Sequence, residues 1–396
     1  MKSNKIRLGE QCVVTSSKRF HLSERITQGV PFYCSKEIIK KFNGEDVTEC
    51  DYISEDLYKK VSNEFGVPKE NDLLITTRGT IGIPYLYKRT DRFYFADGNL
   101  TWIKDFDSNL YSKFLYYWFQ SYEGRKKFEA LAKGTAQKAV PISGIKTLEI
   151  ELPSLKSQKR IADILSAYDD LIENNQKQIK LLEEAAQRLY KEWFVDLRFP
   201  GHENTKIVDG VPEGWNEKTL SQVANVIMGQ SPKSEFYNSE KKGLPFHQGV
   251  GSYGVRFVVD DIYSTSYTRI AEPNSILFSV RAPVGRLNIT KNKVVIGRGL
   301  AAINQTDGCQ SYLYYLLKNK FFKDNIVGNG SIFASVSKDE LLNQKFLIPE
   351  RNLMMQFEKI VSQMDKQIEN LDSKNKKLIE ARDRLLPKLM SGEVEV

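Results

Sequence analysis

The chain has 396 residues, 41% of them hydrophobic, which is enough for two or three globular domains with real cores. Lys and Arg outnumber Asp and Glu by 58 to 50, and the net charge of +8 favours a polyanionic partner without proving one. Four scattered cysteines without a CxxC pair and only three histidines exclude a disulfide framework and a zinc site, so no metal is expected. No apolar run approaches the roughly 18 residues of a membrane span, and MKSNKIRLGE has no apolar signal core. A cytoplasmic protein with no membrane role is expected.

In chain order, residues 1–152 form a first α+β module. It holds a polar turn at SSKR (16–19), a β-branched strand in NDLLITTRGTIG (71–82), an apolar-faced helix at YSKFLYYWFQ (111–120) and a loop at KGTAQKAV (133–140). Residues 153–199 begin after ELP and run helical without Gly or internal Pro. A linker rich in Gly, Pro and polar residues, RFPGHENTKIVDGVPEGW (198–215), marks the division between halves. Residues 200–349 form a second module. Residues 350–396 form a second long helix, with no internal Pro until Pro387.

The second half repeats the first. NSILFSVRAPVG (274–285) lies over NDLLITTRGTIG with Asn71/Asn274, Leu74/Leu277, Arg78/Arg281 and Gly82/Gly285 in common. GVPF (29–32) matches GLPF (243–246), DGNL (97–100) matches GRGL (297–300), and KGTAQKAV matches NGSIFASV (329–336). From Gly134/Gly330 onward the copies keep a constant spacing of 196 residues, whereas upstream the loops differ in length. The layout is variable module, constant helix, variable module, constant helix.

Along the helices, apolar residues recur in alternating steps of four and three, from Ile161 to Trp193 and from Phe357 to Leu389, the seam of a coiled coil. Each seam contains one asparagine, Asn175 and Asn375. Setting them face to face in an antiparallel pair also sets Ile161 against Leu389, Tyr168 against Arg382 and Trp193 against Phe357. Asn175 and Asn375 are therefore expected to fix the register of a spacer roughly 50 Å long. The fold class expected is two pseudo-repeated α+β domains separated by two long helices in an antiparallel coiled coil, with the symmetry of a homodimer folded into one polypeptide.

The repeated strand motifs, the VPEGW lead-in (211–215), the GTAQKAV loop and the P-S-L-x-x-Q-x-x-I helix start (153–161) together resemble the specificity subunit of type I restriction-modification systems, over essentially the whole chain. The resemblance implies that residues 1–152 and 200–349 are target-recognition domains, each reading one half of a bipartite, asymmetric site in double-stranded DNA. It implies that residues 153–199 and 350–396 are the spacer and the docking surface for two methyltransferase subunits, through which restriction subunits join. Docking is expected around Gln158, Arg160, Glu184, Arg188 and Arg384.

Candidate DNA contacts follow from chemistry and position. Arg78 and Arg281 close a strand before a small-residue turn that includes Thr80, where a guanidinium reaches a phosphate or a guanine edge; a structural ion pair is an equal alternative. Lys133, Thr135, Gln137 and Lys138 furnish one loop, and Ser331 and Phe333 its counterpart. Ser17, Lys18 and Arg19 occupy the position of Ser231 and Lys233 in the other copy. Arg89 and Arg92 in one module, and Tyr253, Arg256, Arg286 and Arg298 in the other, complete the set. Ordinary solvated charge accounts for about half of such a set.

No N-P-P-[YF] tetrapeptide, S-adenosylmethionine loop or GxxxxGK[ST] phosphate loop is present, so the chain is expected to be non-catalytic, with no cofactor of its own. S-adenosylmethionine, ATP and Mg are expected in the partner subunits. GVGSYG (249–254) matches a dinucleotide fingerprint by letter, but VRFVVDD after it reads as a strand where a helix is required. The alternative from another class is a coiled-coil scaffold carrying two protein-interaction modules without a DNA role.

Overall fold

A computed structural model describes residues 4–134, 138–321 and 335–396. It separates into two compact units, Met1–Lys177 with Leu371–Val396, and Gln178–Asn370. Each unit thus combines one module with a segment of both long helices.

In the first unit an antiparallel sheet runs in the order Val13–Thr15, Leu100–Lys104, Leu73–Thr76, Pro84–Leu86. Its inner strand LLIT is buried throughout, three apolar residues and Thr76, because both faces are covered. Leu73 and Ile75 pack with Phe114, Leu115 and Trp118 of the helix Ser112–Gln120, and Leu74 packs on the other side with Tyr85, Phe93 and Trp102. Burying each such side chain contributes about 1.5–3 kcal/mol. A smaller sheet pairs Val30–Tyr33 in parallel with Tyr94–Phe95. The ribbon Asn4–Arg7 with Glu149–Leu152 joins the two ends of the module, which delivers the chain directly into the first long helix.

The second unit repeats this plan. Its sheet runs Ala224–Met228, Leu300–Gln305, Ile276–Ser279, Leu287–Ile289, and the ribbon Asn216–Thr219 with Lys345–Ile348 closes the module. Registers correspond: Leu73 faces Ile103 as Ile276 faces Ile303. The helix Gln310–Phe321 takes the place of Ser112–Gln120, and the aromatic runs FLYYWF and YLYYLL are core in both.

The long helices are Leu155–Phe194 and Arg351–Ser391. Pro387 lies inside the second and does not end it. A proline removes one N–H, and packing of Leu386 and Leu389 into the first unit's core outweighs that loss so near the terminus. In the first unit the helices run antiparallel with the seam asparagines face to face: Asn175 Nδ2 donates to Asn375 Oδ1 at 2.7 Å, and Asn375 Nδ2 to the Ile172 carbonyl at 3.4 Å. In the second unit the rings of Trp193 and Phe357 lie 6.0 Å apart, the pairing that the same register requires.

One local expectation fails. VRFVVDD is not a strand; Gly254 N–H donates to Phe257 O at 3.1 Å, a tight turn that carries only isolated bridges at Tyr253, Phe257 and Val258. The turn forms because Arg256 turns inward, as described below.

Candidate nucleic-acid interface

The letters shared by the twin windows build a backbone frame. Asn71 and Asn274 adopt left-handed φ values of 71° and 65°, a conformation asparagine tolerates, and their N–H groups start the strand pairing at Tyr87 O and Thr290 O. At the far end, the hydroxyls of Thr76 and Ser279 accept the N–H of Ile83 and Arg286 at 2.9 and 2.8 Å. Gly82 and Gly285, at φ 84° and 86°, close the turn.

Past the strand, the chain meets the second repeated motif. Arg78 bridges Ala139 and Arg281 bridges Ser335 through the backbone, with Val140 N–H on Thr77 O at 2.9 Å and Val336 N–H on Val280 O at 2.8 Å. Each module therefore joins its arginine strand to its GTAQKAV or NGSIFASV loop. Both arginine side chains are exposed, and among the described residues neither makes an ion pair. Among the described residues the structural ion pair considered from sequence does not form. Two free guanidiniums at equivalent places suit phosphate oxygens.

In the first module Arg78 lines a cleft of about 340 Å³ with Ser16, Gly98, Thr101, Lys133 and Pro141. Lys133 and Ala139 exchange backbone hydrogen bonds at 2.8 and 2.9 Å, and the side chains of Lys133 and Lys138 are exposed, as is Thr80. Thr135 and Gln137, like Ser331 and Phe333 in the other module, lie outside the described residues. Ser17 is half-buried, Lys18 sits 4.8 Å from the Phe65 ring, and Arg19 pairs with Asp97 at 2.9 Å. Arg89 is exposed, whereas Arg92 is held by both oxygens of Glu55.

In the second module a cleft of about 570 Å³ is lined by Ser231, Pro232, Tyr237, Gln248 and Arg298 among others. Lys233, Arg286 and Arg298 are exposed. Gln248 was not a sequence candidate, since nothing local marks it; the signal lies in the glycines flanking Arg298, which are explained only by the approach of Gln248.

Two candidates are corrected. Arg256 is 2% exposed and cannot reach DNA: its guanidinium lies 2.6 Å from Asp365 Oδ1 and 3.6 Å from Glu183 Oε1, and 3.7 Å from the Tyr314 ring centre. It fastens the second module to its helix segments. The Tyr253 hydroxyl is also buried, and burial pushes its phenol well above the usual value. Gln158, expected on a docking face, is 1% exposed; its Oε1 accepts the Tyr111 N–H at 2.9 Å and its Nε2 donates to Asn109 O and Pro153 O. Arg160, Arg188 and Arg384 are exposed.

Among the described residues no group of His, Cys, Asp and Glu is placed to hold a metal, and no helix is long and apolar enough to cross a membrane. The loop containing GVGSYG is followed by the Gly254 turn and by no helix, so a dinucleotide site is not built.

The family model for the type I restriction modification DNA specificity domain matches residues 3–184 and again residues 212–381. The chain belongs to the family of type I restriction-modification specificity subunits. A putative type I restriction enzyme MjaX specificity subunit of Methanocaldococcus jannaschii is 30% identical over 328 residues, covering 81% of this chain and 77% of that protein. The HindI specificity subunit of Haemophilus influenzae is 25% identical over 361 residues, covering 71% and 77%. The solved S subunit of a type I restriction-modification system from M. genitalium shares the fold, with a TM-score of 0.60 over 98% of this chain and 96% of that one at 19% identity. Each specificity domain matched here spans one module and most of the helix after it. A specificity subunit is non-catalytic and supplies recognition to its complex.

Proposed function

We propose that each module reads one half of a split, asymmetric sequence in double-stranded DNA, with the long helices as the spacer between the two readers. The observation that carries this reading is the pair of equivalent, exposed arginines, Arg78 and Arg281, which make no ion pair among the described residues, in two modules whose clefts are furnished differently. A shared anchor suits the backbone common to all DNA, and differing surroundings suit two different half-sites. The complex forms in the cytoplasm with other restriction-modification subunits. Two methyltransferase subunits dock along the helices, around Arg160, Arg188 and Arg384, and restriction subunits join through them. S-adenosylmethionine, ATP and Mg belong to those partners.

The test maps methylated adenines genome-wide in cells with and without this chain. One split motif that depends on the chain is expected, and exchanging residues 1–152 for those of a relative should change one half of the motif only. Salt-insensitive DNA affinity, or methylation without a motif, overturns the reading.

A further inference from the structure

Three stretches far apart in sequence meet at one edge of the second module: the turn at Gln230 and Ser231, Gln248 just past the strand Leu244–His247, and the Gly297–Arg298–Gly299 segment. A Cβ on Gly297 would come within 2.6 Å of Gln248 Oε1, and one on Gly299 within 2.5 Å of the Gln248 carbonyl oxygen. Only glycine lets this segment lie against Gln248. The Ser231 hydroxyl accepts the Arg298 N–H at 3.2 Å and donates to Gln248 Oε1 at 2.8 Å.

That arrangement fixes what the cleft presents. The oxygen side of the Gln248 carboxamide faces Ser231 and Gly297, which leaves the two N–H donors of Nε2 for a ligand. Beside it the exposed Arg298 guanidinium adds donors only, and none of the described residues lining the cleft is acidic. Among the four bases, only guanine offers two acceptors, N7 and O6, and no donor at its major-groove edge. We propose that Gln248 and Arg298 read a guanine in the half-site of the second module, with Ser231 as the positioning residue that holds the carboxamide. The first module cannot do the same, because Gly98 stands at the position of Arg298 and Asp97 is paired with Arg19.

The inference rests on the proposed reading of DNA by the two modules. The test maps methylated adenines in cells that carry the full chain with its methyltransferase partner, as wild type, Arg298→Ala, Gln248→Glu and Ser231→Ala. The wild-type motif should contain a guanine in the half assigned to residues 200–349. Arg298→Ala should weaken the preference for guanine there, with the Gln248 donors retaining part of it. Gln248→Glu, which turns donors into acceptors, should favour a base with an exocyclic amino group, cytosine or adenine. Ser231→Ala should relax the choice in part, and an unchanged first half-site shows that the variants are folded. Independently, 7-deazaguanine at that position in a duplex should weaken wild-type binding about tenfold or more, since N7 is removed.

A second half-site without guanine overturns the inference. So does a motif left intact by both Arg298→Ala and Gln248→Glu while methylation falls evenly, because phosphate contacts act that way. Undiminished binding to the 7-deazaguanine duplex has the same force and needs no variant. A wild type with no motif at all is a failure of the DNA-reading proposal itself, and is distinguishable from these results.

Discussion

Asp365→Asn removes the charge that compensates Arg256 while keeping the volume and one acceptor oxygen. At an effective dielectric constant of about 20, the attraction is roughly 6 kcal/mol across the 2.6 Å to Asp365 and roughly 5 kcal/mol across the 3.6 Å to Glu183. Breaking a buried pair with no other support costs about 3–5 kcal/mol. Glu183 and the Tyr314 ring remain, so a loss of about 2–4 kcal/mol is expected. The matched control is Asp169→Asn in the first unit, where Asp169 holds Arg382 at 2.6 Å. Arg382 is 24% exposed and water can replace its partner, so a loss of about 1 kcal/mol or less is expected there. Urea unfolding followed by tryptophan fluorescence and circular dichroism gives both numbers. The double variant Arg256→Met with Asp365→Asn should recover at least half of the loss, because no buried cation is left. A loss from Asp365→Asn no larger than from Asp169→Asn, or a double variant no more stable than the single one, would refute the reasoning.

Arg78→Ala and Arg281→Ala should each weaken DNA binding without changing the methylated motif, and each should lower the salt slope by about one, as measured by titration at several salt concentrations. Asn375→Leu strands the Asn175 amide and should cost about 1–2 kcal/mol in urea unfolding. Replacing both asparagines by Leu should restore stability but loosen register, seen as slipped disulfides between cysteines placed along the seam. Glu358 accepts the Ser311 and Tyr312 N–H groups, and burial holds its carboxyl above the usual range. The unfolded chain therefore ionises first as pH rises, and this group's stability contribution is present below the usual carboxylate value and falls toward the raised one. Glu358→Gln should remove that slope, measured by urea unfolding at several pH values, while losing one of the two N–H contacts because its amide has a single acceptor oxygen. Burial pushes the thiols of Cys12 to about 12 and Cys309 to about 11, so iodoacetamide at pH 8 should label both only after unfolding.

The seam, the strand LLIT with its repeat ILFS, and the duplication itself were legible in the residues. Each of these signals is local or strictly periodic: a helix face recurs every three or four residues, and a copied motif keeps its letters. The asparagine pairing was legible for the same reason, since one polar residue on each apolar seam has few places to go. VRFVVDD misled because its β-branched residues suit a strand, while burial of Arg256 against Asp365 and Glu183 bends the backbone into a turn. Gln158 read as a surface residue of a polar helix start, yet its carboxamide serves backbone groups at Tyr111 and Asn109.

Sequence alone determined the order of modules and helices, the family and the places where the copies agree. Only the tertiary structure decided which charged groups are free: Arg256 is buried, while Arg78, Arg281 and Arg298 stand exposed. Likewise, Gln248 gains meaning only from Ser231 and Gly297, which lie 17 and 49 positions away in the chain. The physical reason is that charge availability and donor orientation are set by neighbours in space, and a linear pattern records only neighbours along the chain.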